Sequence, residues 1–347
     1  MSLGSRLAVR LCPSPFPLRR KLLLSLPVTR FLHNSPANSA NLLPIIAHGP
    51  PPKPPLPAAS EIGELRRQQT AERANPGKKF WKEVKIEKWD DGLAILLDKL
   101  PIRTPLKKPI VVPESKPLLA HAIALEWCLL HSTKVALTKH YRTPLTQLAG
   151  RVIDMREPNA STPSRDATIS NVMRYLHTDT LIFYAPTTPE GQRDPNKKTL
   201  RELQVEEAEP VVKWLTTVLW PGTKIEYNDG DLGFMATAQQ PPETVRVIRE
   251  WLEGLTDWDL VALELATLSS KSLLIGARLV AEWSSDVGVG ERSWGFDQAA
   301  RAASVEVRYQ TEIWGEVEDT HDVDKEDLNR RLGAAWLMAL GRMSKSL

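Results

Sequence analysis

The chain has almost no cysteine: two residues of 347, Cys12 and Cys128. With Cys12 in a segment expected to be removed, a single thiol remains, which excludes an internal disulfide and a cysteine-pair metal site. Cys128 lies in the apolar helical run Leu125–Leu130, where a buried, inert thiol is expected rather than a nucleophile. Long hydrophobic runs are also missing. Pro, Ser or charged residues interrupt every candidate short of the ~18 residues a membrane span requires, so stable membrane insertion is not expected. There is no HExxH. Gly288-Val289-Gly290 with Gly295 lacks the spacing and the Lys-Ser/Thr of a phosphate loop, and follows a helix where such a loop follows a strand. No cofactor and no metal are expected.

The next absence is of negative charge. The first acidic residue is Glu61. Ahead of it stand Arg6, Arg10, Arg19, Arg20, Lys21, Arg30 and Lys53, among Leu, Ser and Pro. An Arg- and Ser-rich N-terminus without acids reads as a mitochondrial presequence. Arg30-Phe31-Leu32-His33-Asn34-Ser35 is similar to a two-step matrix-processing signal, which places the presequence at 1–39 and the mature start near Ala40. The mature product is expected in the mitochondrial matrix. The formal charge of +3 then misleads. Residues 1–39 hold six of 45 basic residues and none of 42 acidic ones, leaving 39 minus 42, or −3. That balance gives no support to nucleic-acid binding.

What is present divides into parts. Residues 40–77 hold a proline run, His48 to Pro55, and a short charged segment ending at Asn75-Pro76-Gly77; polyproline geometry and a linker are expected. Residues 78–116 read as a small β-rich domain. Val84 and Ile86 alternate with Lys85 and Glu87, Trp89-Asp90-Asp91-Gly92 marks a turn, and Leu93, Ile95 and Leu97 start a second strand with Ala94 and Leu96 on its other face. Pro101 to Lys108 reads as a connection carrying short extended pieces, and Ile110–Val112 as a third strand.

Residues 117–347 read as a larger helical domain. Helices are expected from Pro117, from Pro144, through Ile169–Leu176, from Leu200 with a break or kink at Pro210, and from Pro242. A long apolar helix is expected through Leu260–Leu279 behind Thr256 and Asp259, one from Asp297 to near Trp314, and one capped by Asp324. The type of Leu181–Tyr184 stays open. The fold class is α+β in two parts, with no internal repeat.

The sharpest cluster lies near the end. Glu306, Glu312, Glu316, Glu318, Asp319, Asp322, Asp324, Glu326 and Asp327 crowd one interval that also holds Trp314-Gly315 and His321. Three readings stay open: a solvated acidic face, a docking surface for a basic partner with Trp314 as anchor, or a hydrolase site using Glu312, Glu318 and His321. The eleven tryptophans are expected chiefly in the core.

Several ordered blocks carry a family likeness. They are Phe80 to Val84; Leu97-Asp98, Thr104-Pro105 and Val111-Val112-Pro113; Leu119 to Trp127; Arg174 to Thr180; Leu200 to Gln204; Trp258 to Glu264; Lys271-Ser272; and Tyr309-Gln310 with Trp314-Gly315, Glu318 and His321-Asp322. In this order, from about 78 to 340, the chain resembles the mitochondrial assembly chaperones for the F₁ head of ATP synthase that hold the free α subunit. The resemblance implies the same two-part fold and no catalysis. It also implies a monomer when free, transiently bound to the F₁ α subunit. The site it implies is partner-binding: Glu306, Glu312, Trp314, Gly315, Glu318, Asp319, His321 and Asp322. Val307 and Arg308 depart from the family's more acidic pattern before Tyr309, which shifts weight to Glu318 and Asp322.

Overall fold

The structure is a computed structural model, and it describes residues 79–130, 140–158, 160–233, 239–284 and 292–341. The expected presequence, the expected linker and most of the 284–295 loop lie outside the described residues.

Period-two alternation gives the first hairpin. β1 (Val84–Trp89) leaves Val84 and Ile86 half-buried and Lys85 and Glu87 exposed. It pairs antiparallel with β2 (Gly92–Leu97), Val84 opposite Leu97 and Trp89 opposite Gly92. Gly92 has φ +143°, and a Cβ there would sit 2.3 Å from the Val112 carbonyl oxygen, so the turn requires glycine. β2 is central: it also pairs with β3 (Leu100–Pro101) and β4 (Val111–Val112). The connection from Pro101 to Lys108, expected to carry short extended pieces, begins at the second residue of β3, and the third expected strand is one residue shorter than Ile110–Val112. Ala94 and Leu96 are buried along with Ile95 and Leu97, as expected of a strand covered on both faces.

α1 (Pro117–Leu129) lays Leu119, Ala120 and Ile123 toward this sheet. It is apolar all round and covered on one side only, so Leu118, Leu125 and Leu129 are exposed. Cys128 is exposed too, contrary to the buried thiol expected from its apolar neighbours.

α2 (Pro144–Asp154) and α3 (Arg165–Met173) follow. Leu181–Tyr184 resolves into a 3₁₀ turn, Thr180–Ile182, then β5 (Phe183–Tyr184), which pairs in parallel with β6 (Asn228–Asp229). α4 (Leu200–Trp214) starts with a capping box, Thr199 Oγ1 accepting from Glu202 N–H and the Glu202 carboxylate from Thr199 N–H. Pro210 does not break α4. The helix runs on into a π-helical turn at Leu215–Leu219, and the Pro210 carbonyl accepts from Arg278 Nη1 at 2.9 Å. α5 (Pro242–Gly254) is next.

The expected long helix is two, α6 (Asp257–Ser270) and α7 (Leu273–Trp283), separated at Lys271, whose φ is +56°. The helix expected from Asp297 to Trp314 is also two, α8 (Phe296–Ala303) and α9 (Val305–Trp314). Gly295 holds the cap position of α8, its N–H donating to Gln298 Oε1 at 2.9 Å, so Asp297 is inside the first turn. α10 (His321–Ala339) starts three residues before Asp324, which therefore lies in its first turn and is not its cap.

α6 packs against α7 and α10 at the centre. One hydrophobic cluster runs from Trp81 and Ile95 through Leu263 and Leu279 to Ala339. Two polar clamps are buried within it. Lys116 Nζ donates to Asp259 at 3.0 Å and to the Ala339 carbonyl at 2.9 Å, joining the entrance of α1, the start of α6 and the end of α10. The Asp179 carboxylate accepts from Leu181 N–H at 3.0 Å and Leu274 N–H at 2.9 Å, fixing the 3₁₀ turn to the start of α7. Burial pushes the Asp179 carboxyl up to about 6 even though these donors favour the anion.

Candidate functional site

α9 departs from every rule the central helices follow. Val305 is its only buried residue. A ten-residue helix is marginal alone in water, so what holds it matters. Glu306 accepts from Gln204 Nε2 at 3.0 Å. Gln204 is itself buried on α4, donating to the Phe183 carbonyl at 3.1 Å and accepting from Ala185 N–H at 2.7 Å. Arg308 pairs with Glu207 of α4 at 3.1 Å, as does Arg301 of α8 at 3.0 Å. The first turn of α9 is thus tied to α4, and one hub, Gln204, links β5, α4 and α9.

Beyond that anchor the surface is open. Glu312, Glu318, Asp319 and Asp322 are exposed, and among the described residues none of them forms an ion pair; the same holds for Glu316, Asp324 and Glu326. Trp314 is half-buried. Gly315 ends α9 with φ +83° and ψ 163°, a region that only glycine enters without strain. His321 Nδ1 accepts the Val317 N–H at 2.9 Å, closing the turn that includes Asp319 at φ +61°. That bond places the neutral imidazole's proton on Nε2.

The structure therefore divides the eight residues expected as a site. Glu306 belongs to the internal anchor and His321 and Gly315 shape the turn. Glu312, Glu318, Asp319 and Asp322 are exposed acids, and Trp314, which lies among them in sequence, is half-buried. Along the axis, Glu306 and Trp314 are separated by about 12 Å at 1.5 Å per residue. The hydrolase reading needs Glu312, Glu318 and His321 to meet in a concave pocket. Glu312 and Glu318 instead stand on open surface, and neither they nor His321 line the cavity of about 360 Å³ beside β5 and β6, which Glu306 and Gln310 reach.

The sequence reading attended to the acids and missed their apolar neighbours. Val307 (47% exposed), Ile313 (50%) and Val323 (56%) lie on the same stretch. The available signal was a helix carrying apolar residues with no second apolar stripe to bury them.

The family description "ATP12 chaperone protein" matches residues 78–216. A mitochondrial atp12 protein of Schizosaccharomyces pombe is 31% identical over 263 residues, 76% of this chain and 82% of that protein. The mitochondrial ATP12 protein of Saccharomyces cerevisiae is 31% identical over 304 residues, 82% of this chain and 90% of that one. The chain belongs to the ATP12 chaperone family. Among solved structures, Atp12 from Paracoccus denitrificans matches with 25% identity and a TM-score of 0.55, over 76% of this chain and 96% of that one.

Within the ATP12 match, residues that carry the likeness have structural work. Trp81 is buried edge-on against Trp127, with ring centres 5.3 Å apart. Asp98, at φ +55°, accepts from Lys82 N–H and Glu83 N–H, and these bonds hold its carboxyl below the usual range. Thr104 donates to the buried Asp154 at 2.8 Å. Glu126 accepts from Leu145 N–H at 2.7 Å and Thr146 N–H at 3.0 Å, capping α2 from outside that helix. Burial pushes the Glu126 carboxyl up to about 7 against those donors. The acidic stretch lies beyond the 78–216 match.

Proposed function

We propose that this protein is a mitochondrial-matrix assembly chaperone that binds the unassembled α subunit of F₁-ATPase through residues 305–322 and releases it to the β subunit. Membership of the ATP12 chaperone family supports the class, the ordered motif blocks support the α subunit as client, and the acid-free N-terminus supports the matrix. The observation that carries the surface is that one stretch of chain, 307–323, leaves both unpaired Glu312, Glu318, Asp319 and Asp322 and the aliphatic Val307, Ile313 and Val323 exposed.

An unassembled subunit exposes apolar interface that aggregates. Unpaired carboxylates would steer a basic client patch and fix its orientation, and the three aliphatic side chains with Trp314 would supply short-range contact. Three exposed aliphatics make a modest apolar contact, so a client interface that is larger and better packed would win in competition. Residues 1–39 act as presequence and 40–77 as linker in this reading. The free protein is a monomer, and its role is binding, without catalysis or cofactor.

The test is capture from matrix extract by the mature protein, with and without added β subunit. Capture of free α that β displaces is the expected outcome. Folded protein that captures no α would overturn the reading.

A further inference from the structure

A cavity of about 830 Å³ opens between the β unit and the helices, away from residues 305–322. Its size falls within the ~300–1,000 Å³ of small-molecule sites. The walls are mainly apolar: Ile110 from the β unit, Trp127 from α1, Leu148 from α2 and Leu265 from α6. Sites of this kind fix orientation with a few placed polar groups, and here those groups are guanidiniums.

Arg103, Arg151, Arg330 and Arg331 line the cavity against one lining carboxylate, Asp154. Arg151 is paired with Glu264. Arg330 and Arg331 share a single acid, Asp327, at 2.5 and 2.6 Å, and their side chains are 43% and 50% exposed. Arg103 donates to the Lys107 carbonyl at 2.6 Å and has no carboxylate partner among the described residues. Asp154 is buried and accepts from Thr104. Counting Arg103, Arg330 and Arg331 against Asp327 and Asp154 leaves one positive charge, carried on the exposed side.

We propose that this cavity binds an anionic amphiphile: a carboxylate or phosphate head held by Arg330, Arg331 and Arg103, with its apolar tail against Trp127, Leu148 and Leu265. Two guanidiniums on one carboxylate have donors to spare for planar or tetrahedral oxyanions. The site is independent of the client surface, and its failure would leave that surface untouched.

The experiment titrates the folded mature protein with decanoate, decyl phosphate and decanol below their aggregation limits, read by calorimetry. One saturable site is expected, with at least one anion bound ten-fold or more tighter than decanol; the preferred head separates a carboxylate source from a phosphate-ester source. The double variant Arg330→Gln, Arg331→Gln is expected to lose ten-fold or more for the anion and little for decanol. Gln147→Trp, at an exposed lining position of α2, is expected to fill the space and abolish binding of all three. Urea midpoints confirm that both variants fold. Absence of saturable binding, equal affinity for decanol, or binding that ignores both variants would overturn the proposal.

Discussion

Helices α6 and α9 are built on opposite terms. α6 buries nine of its fourteen residues, including Asp259 and Glu264; α9 buries one of ten. In α6 the buried charges have partners: Asp259 takes Lys116, Thr256 and Ser284, and Glu264 takes Arg151. Near α9 the acids are exposed and unpaired, and aliphatic side chains stand in solvent. The difference teaches where stability and recognition reside. A central helix tolerates charge only when it is fully compensated. On the function proposed above, α9 keeps its charge and its apolar surface for a partner; in the structure its first turn is anchored by Gln204 and Glu207.

That contrast can be broken most decisively at Lys116. Lys116→Met leaves the Asp259 charge buried and is expected to lose about 3–5 kcal/mol of stability, read by urea unfolding. Glu318→Lys, on the open surface, is expected to stay within about 0.5 kcal/mol. Similar losses for the two would show that the regions do not differ in this way.

The next effect in size falls on the joint between α9 and α10. Gly315→Ala forces a Cβ into backbone at φ +83°, with open space around it, so the cost is strain alone, about 1–3 kcal/mol. Faster amide exchange confined to the region around 305–321 sharpens the comparison; an unaltered exchange pattern there would count against a joint held by glycine. A smaller loss, about 1 kcal/mol, is expected for Thr199→Ala, which removes half of the α4 capping box, measured by thermal or urea unfolding.

A further prediction concerns pH. The Glu126 carboxyl is raised from 4.5 to about 7 in the folded chain, so between those values the folded state binds more protons than the unfolded one. Its contribution to stability is therefore largest at low pH and is lost as pH rises toward 7. Asp179, raised from 3.8 to about 6, acts in the same direction over its own window. Urea midpoints at pH 5 and pH 7 for the native protein and for Glu126→Gln should differ in slope, the variant losing less stability on going to pH 7. Equal slopes would mean that Glu126 does not titrate there.

Much of the architecture was legible in the sequence because its signals are local. Alternation at Val84–Glu87, the turn at Asp90-Asp91-Gly92 and prolines at 117, 144 and 242 each act within a few residues, and the hairpin and helix starts follow them. The failures were mostly tertiary. The break between α6 and α7 has a local cap that was passed over, Ser272 Oγ accepting from Ile275 N–H, and a distant one, Asp179 accepting from Leu274 N–H some ninety residues away. Cys128 is exposed because α1 meets the sheet on one face only, and its apolar neighbours gave the opposite impression. The acids from Glu312 to Asp322 were visible as a cluster. That Glu306 belongs to an internal anchor was not, since its partner Gln204 lies about a hundred residues earlier. The arginines around the apolar cavity come from β3–β4, α2 and α10, and no run of sequence contains them together.

The central claim is that the open end of the 305–322 stretch, and not the buried core, recognises the client. The measurement that tests it most directly is the affinity of the mature protein and of its Glu318→Lys, Asp322→Lys double variant for isolated F₁ α subunit, with urea midpoints measured alongside. The account predicts binding at least ten-fold weaker, a loss of about 1.4 kcal/mol or more, with the midpoint unchanged. Unchanged affinity in a variant of unchanged stability would contradict it.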